Sequence, residues 1–344
     1  MAQPGAIPDR RTGAESGGTV IADNDLDQRL QEEQAALLAQ HAPGTRSRRV
    51  RWSRGETQVL ELGTGPPLLL VHGAWDNAFV WTPILPALAE HHRVLAVDLP
   101  GHGLADPFEY AGVDLLALAR TFLRDILDAL DLPTVDLVGC SMGGLFSVAF
   151  ALDAPDRVAR LALVGAPLGV TRAVPLPLRV LGLAVLLPRI GRPLGRRMLA
   201  NPTREGTRQL MGQVAVAHPE RLADAHLDAD VACQRRNIDT HLSLMRGLAE
   251  PGGVRRQLLL GERWQALKVR TVFLCGERDA FVSPAVARAW TDIVARNTAI
   301  HIVRIPDAGH LLWFDEPERV VAELERFLEE APRPADPPSG TPVH

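Results

Sequence analysis

The chain has 344 residues, 46% of them apolar and 23% charged, with a formal charge of -4 at pH 7. That length buries a large core, and the absence of a basic stripe or an acidic run argues against nucleic acid as a partner. Three cysteines, Cys140, Cys233 and Cys275, lie far apart at spacings suited neither to a metal site nor to a disulfide framework, which fits a reducing compartment.

Residues 1–23 are rich in Gly, Pro and polar groups and are expected to be disordered. Arg10-Arg11 have no hydrophobic stretch after them, so no signal peptide is read there, and no apolar run reaches membrane-spanning length. A cytoplasmic location is the expectation. Residues 24–41 predict a helix on the domain exterior, capped by Asn24 or Asp25, which completes an N-terminal extension over 1–47. "RRVRWS" and "TQVLELG" predict two strands joined at Arg54-Gly55. "PPLLLVHG" and "RVLAVDLPGHG" are unbroken apolar runs, as in a sheet covered on both faces. Between those two runs, residues 76–90 place Trp81, Ile84, Leu85 and Leu88 at helical spacing, and 113–130 carry a similar stripe. "VDLVGCSMGG" predicts a strand running into a helix, and "RLALVGAP" another strand. The alternation implies a largely parallel sheet with right-handed crossovers.

The rhythm stops over residues 168–267, which read as mostly helical, and resumes with "VRTVFLCGERD". A helix over 284–297, opened by Ser283-Pro284, then "IHIVRIPDAGH" and a helix over 316–330 complete the pattern. The core is therefore assigned to 48–167 and 268–331, with 168–267 as a helical cap over the sheet edge where open α/β sheets bind ligands. The proline-rich tail, 332–344, is expected to be disordered. Within the cap, no acidic residue occurs from Arg157 through Arg204, while arginines punctuate "PLPLRVLGLAVLLP". One reading is a lid whose leucines cover the pocket and whose arginines face water. The other is docking to anionic lipid or gripping an acidic substrate.

Ser141 stands between Gly139 and Gly143 where a strand passes into a helix. A serine hydroxyl needs a base to take its proton and a third group to fix that base. Asp279 and His310 follow later strands in that order. At a sharp strand-to-helix turn the flanking glycines relieve crowding, and the following N–H, that of Met142, faces a reacting carbonyl. Ala74, in the loop "VHGAWDN", is the second expected oxyanion donor, with Trp75 and Leu311 on the pocket wall. Glu277 competes with Asp279 as the acid. Asp307 is read as a brace, His72 as holding the oxyanion loop, and His91, His92 and His102 as loop residues without metal-ligand spacing. Cys140 is read as a small buried filler, its place beside Ser141 leaving thiol modification open. "GHGLAD" fails as a dinucleotide loop because Asp106 stands where glycine or alanine is required.

Five motifs in order, "HGAW" (72–75), "DLPGHG" (98–103), "GCSMGG" (139–144), "GERD" (276–279) and "DAGH" (307–310), carry a family resemblance. The chain resembles serine hydrolases of the α/β-hydrolase superfamily, in the capped esterase and C–C hydrolase branch, from about residue 48 to 330. The resemblance implies the α/β-hydrolase fold, a Ser141–Asp279–His310 triad, and Ala74 as oxyanion donor, since the family takes that donor from the residue after His-Gly. Neither cofactor nor metal is expected. Ring-fission diketone hydrolases of this branch carry asparagine before the serine, a glycine-rich loop after His-Gly and tryptophan after the histidine. Here those positions hold Cys140, "AWDN" and Leu311. The expected activity is hydrolysis of a carboxylic ester, lactone or thioester with a hydrophobic group. C–C hydrolysis, acyl transfer, a cofactor-free oxidative reaction and a receptor or scaffold role remain open, as does the oligomeric state.

Overall fold

The computed structural model describes residues 23–165, 168–187 and 189–329. The two segments expected to be disordered lie outside these residues, apart from Asp23, which is helical. Eight strands form one sheet. β1 (Arg46–Trp52), which begins two residues before the expected start of the core, and β2 (Gly55–Leu62) make an antiparallel hairpin closed at Trp52 and Gly55. β2 runs antiparallel to β4 (Arg93–Val97), and all later pairings are parallel. β3 (Pro67–Val71) lies between β4 and β5 (Val135–Gly139), and β6 (Val158–Val164) follows β5. β7 (Thr271–Gly276) and β8 (Ile300–Ile305) complete the far edge.

Register places the functional loops. Val71 pairs with Val97 on one side and with Gly139 on the other, so three strands end level. The His72 loop, the Asp98 loop and the Ser141 turn therefore leave the sheet along one edge. The middle strands are apolar at nearly every position because both faces are covered. Helices Leu115–Ala129, Ser141–Asp153 and Pro284–Arg296 bury side chains on one face. The N-terminal helix and Pro317–Glu329 pack on the other, around Trp81 stacked on Trp313.

Several local expectations are corrected. The N-terminal helix spans Asp23–His41, so Asn24 and Asp25 sit within its first turn and do not cap it. It packs along Asp224–Arg236, and Asp27 accepts from the Arg236 guanidinium. Residues 76–90 form only a 3-10 turn, Ala78–Trp81, and one helical turn, Leu85–Leu88. Pro83 and Pro86 supply no N–H, which stops a continuous helix despite the apolar spacing. Between β6 and β7 lie helices Leu176–Leu186, Gly191–Leu199, Arg204–Val214, Asp224–Arg236 and Ile238–Leu248. A short hairpin, Ala249–Glu250 with Gly253–Val254, follows them. Among the described residues no helix is long and apolar enough to cross a membrane.

Helix Ser141–Asp153 approaches the end of β3 so closely that a Cβ on Gly143 would stand 2.2 Å from the Val71 carbonyl oxygen and 2.4 Å from that of His72. A Cβ on Gly139 would meet the Ser147 hydroxyl at 2.5 Å. Both obstacles lie in the core, where little can shift. Gly143→Ala is expected to cost about 3 kcal/mol or more of folding stability, read from the urea midpoint.

Candidate active site

The turn after β5 holds Ser141 at φ 52°, a left-handed conformation that a non-glycine residue adopts only when its surroundings impose it. Those surroundings are backbone hydrogen bonds: Cys140 N–H donates to Val71 O at 3.0 Å, and Leu168 N–H donates to Ser141 O at 3.1 Å. Ser141 is buried from bulk solvent and opens into a cavity of about 400 Å³. His310, Ala74, Trp75 and Leu311 line the same cavity. Met142 is buried at the start of the helix.

His310 Nδ1 donates to Asp279 Oδ2 at 2.9 Å, with Oδ1 at 3.1 Å, and both side chains are buried. A carboxylate only accepts, so the imidazole proton sits on Nδ1 and Nε2 keeps a free lone pair. That Nε2 is buried and has no hydrogen-bond partner among the described residues. Phe281 packs over the ring at 4.2 Å, and its N–H donates to Asp279 Oδ1 at 2.8 Å. Glu277, the competing acid, is exposed. Asp307 pairs with Arg278 and His218, each at 2.8 Å, and braces the loop ahead of His310.

His72 is fixed by its partners. Leu99 N–H donates to Nε2 at 2.9 Å, leaving Nδ1 to donate to Gly73 O at 2.7 Å. Burial pushes its pKa far down, so the ring is a neutral strut between two loops. His102 lies beside it with ring centroids 5.3 Å apart, tilted by 58°, and meets His241 of helix Ile238–Leu248 at 5.4 Å. Burial drives the pKa of His102 to about 4 and lowers that of His241. Asp98 accepts from Ala78 N–H at 2.7 Å and Leu104 N–H at 2.9 Å, joining the loops after β3 and β4. His92 pairs with Glu325 at 3.0 Å. Cys140 is fully buried with its thiol pKa pushed well up, chiefly by burial, so modification of that thiol is disfavoured.

Four residues outside the motifs complete the site. Asp76 and Asp230 line the cavity; burial raises the first to about 7, and burial together with the charge of Asp76 raises the second to about 8. His241 lines it from the insertion, with a buried Nε2 that lacks a partner among the described residues. Asp315 is buried and accepts from Gly309 N–H at 2.8 Å and His218 N–H at 2.9 Å, so it binds the His310 loop to the insertion. Asp76 directly follows "HGAW" and carried a sequence signal; the other three depend on how the insertion folds back. Of the leucines expected to cover the pocket, Leu183 lines it and is partly exposed, whereas Leu176 and Leu187 are exposed and do not line it.

A carboxyl held near pKa 8 in the fold but at 3.8 when unfolded stays protonated only in the native state across that interval. The unfolded state is then favoured as pH rises from about 4 to about 8, and stability falls. Asp230→Asn removes this term. Relative to wild type, the variant is expected to gain stability between pH 4 and pH 8, by up to about 5 kcal/mol for the full shift, measured by urea denaturation at both.

Residues 66–317 match the family model for the alpha/beta hydrolase fold. The chain is 40% identical to an uncharacterized protein of Mycobacterium tuberculosis over 283 residues, 78% of this chain and 76% of that one. A 2-hydroxy-6-oxo-2,4-heptadienoate hydrolase of Pseudomonas putida is 43% identical over 119 residues, only 32% of this chain and 41% of its own length. Among solved structures, a carboxylesterase from Bacillus subtilis superposes with a TM-score of 0.67 at 20% identity, covering 90% of this chain and all of that one.

Proposed function

The chain belongs to the alpha/beta hydrolase family, and we propose that within it the protein is a serine hydrolase that cleaves a carboxylic ester, or a related lactone or thioester, through an acyl-enzyme. One observation carries this reading: His310 is anchored through Nδ1 to buried Asp279 while its unpartnered Nε2 and Ser141 share one cavity. In the proposed mechanism Ser141 Oγ attacks the acyl carbon as His310 Nε2 takes its proton. The imidazolium, stabilised by Asp279, then protonates the leaving alcohol or thiol as the acyl–oxygen or acyl–sulfur bond breaks. The N–H groups of Ala74 and Met142 hold the oxyanion. Water, deprotonated by the same histidine, attacks the acyl-enzyme and releases the acid.

The cavity chemistry favours an ester over a ring-fission substrate. The dienoate in the name of the Pseudomonas relative is a carboxylate, whereas Arg179 is the one arginine among the residues that line the cavity here, and the acidic side chains beside it, Asp76, Asp230 and Glu250, supply no positive charge. Apolar side chains make most of the wall, which suits a hydrophobic acyl or alcohol group.

A fluorophosphonate is expected to label the wild type at Ser141 and to leave Ser141→Ala unlabelled. With p-nitrophenyl butyrate, Asp279→Asn is expected to lower turnover by about four orders of magnitude through the wrong imidazole tautomer. Equal labelling of wild type and Ser141→Ala, or no labelling of either, would sink the proposal.

A further inference from the structure

Six large apolar residues are exposed among the described residues, and all belong to one stretch: Leu176, Val180, Leu183, Leu187, Ile190 and Leu194. The first four recur at intervals of four, three and four residues, so they share one face of helix Leu176–Leu186 and its C-terminal cap. Ile190 and Leu194, four residues apart, are exposed on the helix that packs next to it, Gly191–Leu199. Leu176 is 69% and Ile190 58% exposed, far more than a face at core spacing should be.

The opposite face of the helix pair is already satisfied. Val185 is fully buried against Ile238, Leu242 and Met245. A Cβ on Gly195 would come within 2.7 Å of Leu242, and one on Gly182 within 3.3 Å of Met245. Val185, Gly182 and Gly195 therefore face the protein, while the exposed apolar side chains form a second face that nothing among the described residues covers.

Charge identifies that phase. Arg179, Arg189 and Arg197 are exposed beside the apolar face and make no ion pair among the described residues. Arg192 and Arg196 share Asp239. A long apolar face flanked by unneutralised arginines matches an anionic lipid interface, where the side chains enter the acyl boundary and the guanidinium groups stay at headgroup level.

We propose that the outward face of helices Leu176–Leu186 and Gly191–Leu199 docks on an anionic lipid surface and delivers a lipid-phase ester to the cavity. Arg179, Gly182 and Leu183 line that cavity, so the docked face is continuous with its wall. The docking stands independently of the chemistry, whereas the lipid ester as substrate rests on the serine-hydrolase reading above.

Cosedimentation with vesicles separates the possibilities. Wild type is expected to bind phosphatidylglycerol–phosphatidylcholine vesicles at low salt, to release as salt rises, and to bind phosphatidylcholine alone far more weakly. Arg189→Gln with Arg197→Gln should weaken binding by roughly tenfold or more. Leu176→Ser, Val180→Ser and Ile190→Ser together should abolish it while leaving the fluorophosphonate labelling rate in solution unchanged, which also reports intact folding. Ser141→Ala should bind as wild type does, so loss of labelling and loss of docking are read separately. No binding at low salt, or equal binding by the triple serine variant, overturns the proposal. So does a dimer that the same substitutions dissolve while vesicles are ignored, because the face would then belong to a second copy of the chain.

Discussion

The approach of helix Ser141–Asp153 to the end of β3 sets the other distances in the site. Position 143 has no side chain, so the helix axis lies where the Val71 and His72 carbonyls would otherwise meet a Cβ. That separation forces the tight left-handed turn at Ser141 and brings Gly73 beside it; a Cβ on Gly73 would be 3.2 Å from Ser141 Cβ. Because β3, β4 and β5 end level, the loops after them share one corner, and the side chains of His72 and Asp98 tie the first two of those loops together. The serine is positioned by backbone packing, and its own side chain contributes little to holding it there.

The histidine is positioned differently. Its loop leaves β8 and is gripped by the insertion: Leu311 N–H donates to Ala215 O at 2.7 Å, and Asp315 accepts from Ala217 N–H at 2.9 Å. The same segment, through Met211, Val214 and Ala215, forms cavity wall. Wall and base therefore move together or not at all. A shift in the insertion large enough to reshape the cavity would also displace the imidazole, which couples substrate fit to the alignment of the proposed base.

The elements legible in the sequence were those marked by local chemistry. Glycines at 139 and 143, the strand ends before Asp279 and His310, and the Ser283 cap each announce a backbone event within a few residues. Ser283 Oγ does accept from Val286 N–H, at 3.4 Å. Residues 76–90 depart from the helix their apolar spacing predicts because Pro83 and Pro86 interrupt it. Asp230 and His241 were missed for a different reason. They lie on helices whose polar residues look like ordinary surface, and only the fold of the insertion turns them toward Ser141. Composition likewise marks residues 175–188 as an apolar stretch punctuated by arginines but not which side of the helix finds the protein, because that depends on the close packing that Gly182 and Gly195 allow.

The N-terminal helix adds a constraint from outside the sheet. Leu30, Leu37 and Leu38 are buried, and Asp27 holds Arg236, whose guanidinium also donates to the Gly103 carbonyl at 2.8 Å and the Ala105 carbonyl at 3.2 Å. Helix Asp224–Arg236 is thus splinted on one side by the chain's earliest described segment and on the other by the loop after β4. The insertion behaves as a cantilever: Asp224–Arg236 is the clamped end, and the pair with the outward leucines is the free one. Removing the splint would soften the cavity from a point about two hundred residues away in sequence but adjacent in space.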